Sequence, residues 1–202
     1  MASTKPARVA TAVSAAITGS ESTGAITATG PRVVGTRVRV AVGLGGNLGD
    51  RYANLDAARR SLEGLPGASR FVFSSLYETA PVDAPMGTTQ PDYLNAVAVF
   101  DLPSQSAGAL VSALLALEAD LGRHRGALRN EARTVDLDLL WIEGETSNDP
   151  AARVPHPRLH QRPFALIPLL EVLPEARDPA GMAYADHLAR LDASGVKLAR
   201  RW

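Results

Sequence analysis

Cysteine is absent from all 202 residues, which excludes a disulfide framework, a thiolate nucleophile and a thiolate zinc site. Net charge is missing too. Twenty-one acidic residues balance twenty-one basic ones, so no long-range field draws nucleic acid or an anionic membrane. No apolar run approaches the roughly 20 residues that cross a bilayer. Two nucleotide signatures are lacking as well. No Gly-Lys-Ser/Thr occurs, and in the glycine-rich stretch Gly43 to Asp50 a leucine, Leu48, stands where a dinucleotide fingerprint needs its third glycine. What remains, 46% hydrophobic and 21% charged, is a globular chain able to bury a core. Its length allows one domain, or one domain with a tail. The lack of thiols fits a reducing compartment, and the expected location is cytoplasmic.

Residues 1–36 differ in kind. They are rich in Ala, Ser, Thr and Gly, hold no aromatic residue, and carry one acid against three bases. Such a stretch buries too little to offset its ordering entropy and reads as a disordered extension. It is too poor in arginine for a transit peptide and has no continuous apolar core for a secretory signal. The folded domain is expected over 37–202.

Within that domain Arg37 to Leu44 alternates, with Val38, Val40 and Val42 on one face, and reads as a strand. The glycine turn leads into a helix that Asp50 can cap and that buries Leu55, Ala58 and Leu62. Ser69 to Thr79 reads as one second strand. Ala80 to Asp92 is a long loop, and long loops in compact domains tend to be functional. Tyr93 to Leu102 is a third strand, setting Leu94, Ala96 and Ala98 against Asn95, Val97 and Val99. Asn95 is the odd residue there. It is either satisfied structurally or reads the hydrogen-bonding edge of a heterocycle; the residues alone leave both open. Ser104 is the expected cap of a helix running to about Leu121, stopped by Gly122. Glu118 lies near its end, where the helix dipole disfavours an acid, so it should have a specific partner.

Asp136 and Asp138 follow, on one face of the apolar run Val135 to Ile142. Residues two apart in a strand point the same way, roughly 6.7 Å apart along the chain. Two such carboxylates repel unless a cation joins them, and oxygen ligands favour Mg²⁺ or Mn²⁺ over zinc. Just before them lie Arg123, His124, Arg125, Arg129 and Arg133. Metal carboxylates beside clustered arginines suit a polyphosphate, although a solvated strand face would give the same pattern. Further on, a helix through Leu166, Leu169 and Val172 should be bent or interrupted by Pro168, and a last helix is expected from about Met182 to Leu191. His156 and His160 lack an accompanying carboxylate motif, which speaks against zinc. The order β-α-β-β-α-β is that of an α+β, ferredoxin-like fold with a mainly antiparallel sheet.

Five stretches, colinear over about residues 37 to 175, carry a resemblance. They are Gly43 to Asp50, Ser74 to Pro81, Gln90 to Ala96, Arg133 to Leu140, and Val154-Pro155-His156 with Arg162, Phe164 and Pro168-Leu169 beyond. Together they resemble the 6-hydroxymethyl-7,8-dihydropterin pyrophosphokinases of folate biosynthesis. The resemblance implies diphosphate transfer from ATP to the pterin hydroxymethyl oxygen, with release of AMP. It implies two Mg²⁺ ions held by Asp136 and Asp138, and catalytic roles for Arg123 and Arg133. Thr79, Ala80, Val82, Tyr93, Asn95 and Phe164 would line the pterin. Glu118, Arg123, Arg125, Arg133, Leu139, His156 and Arg162 would line ATP. The implied partners are these small molecules and other folate-pathway enzymes, with neither nucleic acid nor membrane. The segment before the Asp pair departs from the family pattern: Asn130, Glu131 and Ala132 replace its Trp-Gly-Pro. That leaves, as the alternative, a pterin- and nucleotide-binding relative with impaired catalysis.

Overall fold

The computed structural model describes residues 36–123 and 131–202. The expected N-terminal extension, His124, Arg125 and Arg129 therefore lie outside the described residues, apart from Thr36. The strands are β1 (Arg37–Gly46), β2 (Ser69–Phe73), β3 (Leu76–Thr79), β4 (Tyr93–Pro103), β5 (Asp136–Ile142) and β6 (Lys197–Arg200). The helices are α1 (Arg51–Glu63), α2 (Ala107–Asp120), α3 (Pro163–Val172) and α4 (Tyr184–Leu188). They form one sheet in the order β5-β1-β4-β3-β6, with β2 also on β4 and every pairing antiparallel. First, second, third and last core strands thus take the α+β, ferredoxin-like arrangement.

The alternation read along the strands divides two cores. Val40, Val42 and Leu44 of β1 and Leu94, Ala96, Ala98 and Phe100 of β4 pack with Leu55 and Leu62 of α1 and Leu110 and Leu114 of α2. Ala41, Val97 and Val99 face the other way, onto Leu166 and Leu169 of α3 and Tyr184 of α4. A strand with both faces covered has few polar positions to spare. That is why β4 is apolar on both sides and Asn95 is conspicuous.

Four expectations are corrected. Ser69 to Thr79 is two strands, because the chain kinks at Ser74 and Ser75; Phe73 opposes Ala98 while Tyr77 opposes Asn95, four steps on one strand against three on the other. The cap of α2 is Ser106, which accepts from Ala109 N (3.2 Å); the backbone N–H of Ser104 instead donates to Thr36 O (2.8 Å) and prolongs the strand. α3 runs through Pro168 without a break: the ring deletes one helical bond but packs in the core. The last helix is confined to Tyr184–Leu188, and the final residues form β6 on the edge of β3.

Candidate active site

Across one end of the sheet, Asp136 of β5 opposes Gly45 of β1, Gly45 opposes Asn95 of β4, and Asn95 opposes Tyr77 of β3. All four share a face, the one toward α3. The next row inward begins with Asp138 opposite Gly43. The two glycines clear the floor between the carboxylates and the amide. A Cβ on Gly45 would lie 3.3 Å from Asn95 Oδ1, and one on Gly43 would meet the Leu140 side chain at 3.4 Å. Above this floor opens a cleft of about 630 Å³.

The cleft gathers every described residue expected at the site. Thr79, Ala80, Val82, Tyr93, Asn95 and Phe164 line one part; Glu118, Arg123, Arg133, Asp136, Asp138, Leu139, His156 and Arg162 line the rest. Arg125 alone lies outside the described residues. Lining residues that the sequence did not single out include Val111 and Leu115 on α2 and the segment Pro150–Arg153. Leu115 is left 39% exposed at the rim of the cleft.

Asn95 is buried and donates its Nδ2 to Thr79 Oγ1 (2.9 Å), which fixes the amide's orientation. Glu118 has the partners its position demanded. Buried to 2% exposure, it accepts from the backbone N–H of Leu137 (2.7 Å) and pairs with Arg123. It therefore anchors β5 midway between the two aspartates. Asp136 takes Arg123 (2.5 Å) on one oxygen and Arg133 (2.8 Å) on the other. Asp138 faces Arg162 at 3.7 Å. Burial, and then the neighbouring Asp136 charge, push the Asp138 carboxyl above the usual carboxylate range.

The donor set can be tested for a metal. Among the described residues no three His, Cys, Asp or Glu side chains converge, which disfavours a self-contained zinc or calcium site. Two carboxylates side by side on a strand fit Mg²⁺, which completes its shell with water and phosphate oxygens. His156 is pushed down to about 4 by burial first and then by Arg162 and Arg158, so it is neutral at ordinary pH. Its Nδ1 accepts from Arg158 N (3.1 Å), which leaves the proton on Nε2, beside Arg162. A neutral N–H donor next to a guanidinium suits an anionic oxygen.

One organiser was not foreseen. Asn47, 2% exposed, accepts from Arg133 N (2.8 Å) and donates to Gln90 Oε1 and Pro91 O (both 3.1 Å). It ties the long loop to the segment that carries the arginine. Beside it, a Cβ on Gly46 would lie 2.4 Å from Thr134 O, so backbone passes backbone there without room for a side chain. The glycine turn thus serves close packing, in keeping with its failure as a dinucleotide fingerprint.

An antiparallel α+β sheet bearing paired carboxylates and arginines beside an amide-walled pocket defines a nucleotide-dependent transferase. Comparison with known proteins specifies which. Residues 41–174 match the family model of 7,8-dihydro-6-hydroxymethylpterin-pyrophosphokinase (HPPK). A 2-amino-4-hydroxy-6-hydroxymethyldihydropteridine pyrophosphokinase of Methylorubrum extorquens is 36% identical over 160 residues, 79% of this chain and 97% of that protein. The protein of the same name from Pseudomonas aeruginosa is 34% identical over 160 residues, 79% of this chain and 95% of its own. A mitochondrial folate synthesis bifunctional protein of Arabidopsis thaliana is 36% identical over 163 residues, which are 81% of this chain but 28% of that one. Among solved structures, a Plasmodium falciparum HPPK-DHPS with pteroate matches 79% of this chain with a TM-score of 0.59 and 12% identity; the match spans 44% of that longer chain and bears on the fold alone. The chain belongs to the 7,8-dihydro-6-hydroxymethylpterin-pyrophosphokinase family.

Proposed function

We propose that this chain transfers the diphosphate of ATP to the hydroxymethyl group of 6-hydroxymethyl-7,8-dihydropterin, a step of folate biosynthesis, through the residues of the cleft above. The observation that carries the reading is the shared floor: Asp136 and Asp138 at one side and Asn95 at the other, separated by glycines and joined by nothing bulkier. Such a floor suits two substrates lying end to end. The pterin lies between Tyr93 and Phe164, with its polar edge on Asn95 and on the backbone of Thr79 to Val82. Asn95 discriminates by hydrogen bonding, because a heterocycle without the matching donors leaves a buried amide unpaired. ATP lies along Glu118, Leu139, His156 and the arginines.

The hydroxymethyl oxygen attacks the β-phosphorus. The new O–P bond forms as the bond from that phosphorus to the α-phosphate oxygen breaks; AMP leaves, and the hydroxyl proton is released. Little covalent help is needed, since positioning and charge neutralisation carry the barrier. Arg123 and Arg133 neutralise the phosphates, and Arg162 with the neutral His156 N–H orients them. Asp136 and Asp138 would hold Mg²⁺, two ions by the resemblance, which supply Lewis-acid polarisation of the phosphoryl oxygens. No described helix is long and apolar enough to cross a membrane, and the fused relatives support association with another folate enzyme.

The test is a product assay with Mg²⁺, ATP and the dihydropterin. AMP formed in proportion to pterin diphosphate is the expected result. ADP would refute attack at the β-phosphorus, and no pterin-dependent nucleotide would favour the catalytically impaired relative.

A further inference from the structure

Glu171 lies outside the cleft, seven residues beyond Phe164 on α3, and so on the same face of that helix two turns along. Its carboxylate reaches across to the kink between β2 and β3. Oε2 accepts from Ser75 N (2.9 Å) and from Tyr77 OH (2.9 Å), and Oε1 from Ser75 Oγ (2.7 Å). Three donors on one surface carboxylate is more than tethering a helix requires. The Tyr77 phenol is pushed up to about 12, by burial and then by this carboxylate, so it remains a donor.

What Glu171 grips is the one-residue offset that sets the register of β3. At the kink Ser74 is fully buried. Its N–H keeps the ladder bond to Val97 O (2.9 Å), but the Val97 N–H is met by Ser74 Oγ (2.9 Å) in place of a backbone carbonyl. The carbonyl of Ser74 has turned away and accepts the indole N–H of Trp202 (2.7 Å). The offset is thus pinned from both sides of the sheet, by Glu171 from α3 and by Trp202 beside α1, where its ring packs against Tyr52 and Phe73. A slip of one residue would reverse the faces of every β3 side chain. Thr79 would then leave Asn95, whose amide it orients.

We infer that Glu171 is a positioning residue for the pterin half of the reaction: by clamping the far end of α3 to the β2–β3 kink, it fixes the gap between Phe164 and the Thr79–Asn95 wall. The inference rests on the proposed pterin site. It assigns substrate selectivity to a carboxylate outside the cleft, acting through Ser75, Tyr77 and Thr79. Most of the nucleotide side of the cleft hangs on other anchors, Glu118 among them; Arg162, the N-cap of α3, is the ATP-side residue that shares this helix, so the effect falls mainly on the pterin.

The experiment uses the full chain and the variants Glu171→Ala, Glu171→Gln and Tyr77→Phe. KM is measured separately for the dihydropterin and for ATP, with thermal melting of each variant. The wild-type assay comes first: without pterin-dependent AMP from the wild type, the site reading itself falls. Given that activity, Glu171→Ala should raise the pterin KM about tenfold and leave the ATP KM within about twofold. Glu171→Gln still accepts from Ser75 N and Tyr77 OH and should recover most of the loss. Tyr77→Phe, which removes one of three bonds and little volume, should fall between. Equal changes in both KM values, or a melting shift with neither KM changed, would mark Glu171 as merely structural and overturn the inference. If Glu171→Ala does not fold, Tyr77→Phe and Glu171→Gln decide it by the same ratio of KM values.

Discussion

Replacing Glu118 by alanine separates two roles that meet in one side chain. Its carboxylate accepts the Leu137 N–H at 2.7 Å and pairs with Arg123, with 3% and 13% of the two side chains exposed. Alanine strands a strand N–H, which costs about 1–3 kcal/mol. It also leaves Arg123 with Asp136 alone, so the total should be about 3 kcal/mol, the low end for breaking a buried pair. In a domain of this size that lowers Tm by about 6–12 °C. Glu118→Gln keeps an acceptor for Leu137 and should cost about 1 kcal/mol. Urea unfolding followed by the fluorescence of Trp141 and Trp202, the only tryptophans, measures both variants. Removal of the anchor should also let β5 shift, weakening ATP binding in the alanine variant more than in the glutamine variant. Alanine and glutamine variants of equal stability, both close to wild type, would refute the anchoring argument. So would glutamine behaving as badly as alanine in unfolding.

Other outcomes follow from the same geometry. Asp136→Ala and Asp138→Ala should each lower kcat by about 10³-fold or more while the fold persists, read by AMP release across a Mg²⁺ titration and by circular dichroism. His156 is held down to about 4 in the fold against 6.5 when unfolded, so acid protonates the unfolded chain first. Stability should therefore fall as pH drops from about 6.5 toward 4, by at most about 3 kcal/mol, and His156→Gln should flatten that limb of a Tm-against-pH curve. Gly46→Ala drives a methyl into Thr134 O and should destabilise by about 2 kcal/mol or more, with displaced Arg133 raising the ATP KM; unchanged unfolding would refute the close approach. Asn47→Ala frees Arg133 N and the Gln90–Pro91 turn together, and should raise the KM of both substrates, unlike any substitution at Glu171.

Much of this was legible because strands with covered faces leave a period-2 record. The alternation of Val38 to Val42 and of Leu94 to Val99 gave both faces of β1 and β4, and the Asp136–Asp138 spacing gave a shared face directly. The misplaced Glu118 and the polar Asn95 were found by the same logic, as residues whose burial demands partners. Gly43 and Gly45 are a case half read. Their place in a glycine-rich stretch that is no dinucleotide fingerprint was clear, but that they sit two apart, on the very face of the carboxylates, becomes meaningful only once β1 lies between β5 and β4. The kink at Ser74-Ser75 was illegible for a related reason: the offset is stabilised by Glu171 and Trp202, about a hundred residues later and beyond any local window. Ser104 was read as the cap, but a long-range backbone bond to Thr36 draws it into the strand and leaves Ser106 to cap α2.

The pairing of β1 with β5 also governs how the molecule comes into being. Val40 opposes Ile142 and Gly45 opposes Asp136, so the neighbour that completes the cleft floor is made about a hundred residues after the strand it joins. Closing so long a loop is slow, and nothing local rewards it in advance. A growing chain can lay β1 against α1 early, yet it holds no carboxylate beside Gly45 until about two thirds of its length exists. Nucleotide affinity is therefore a late acquisition in folding, and a fragment ending before β5 should collapse without binding ATP at all.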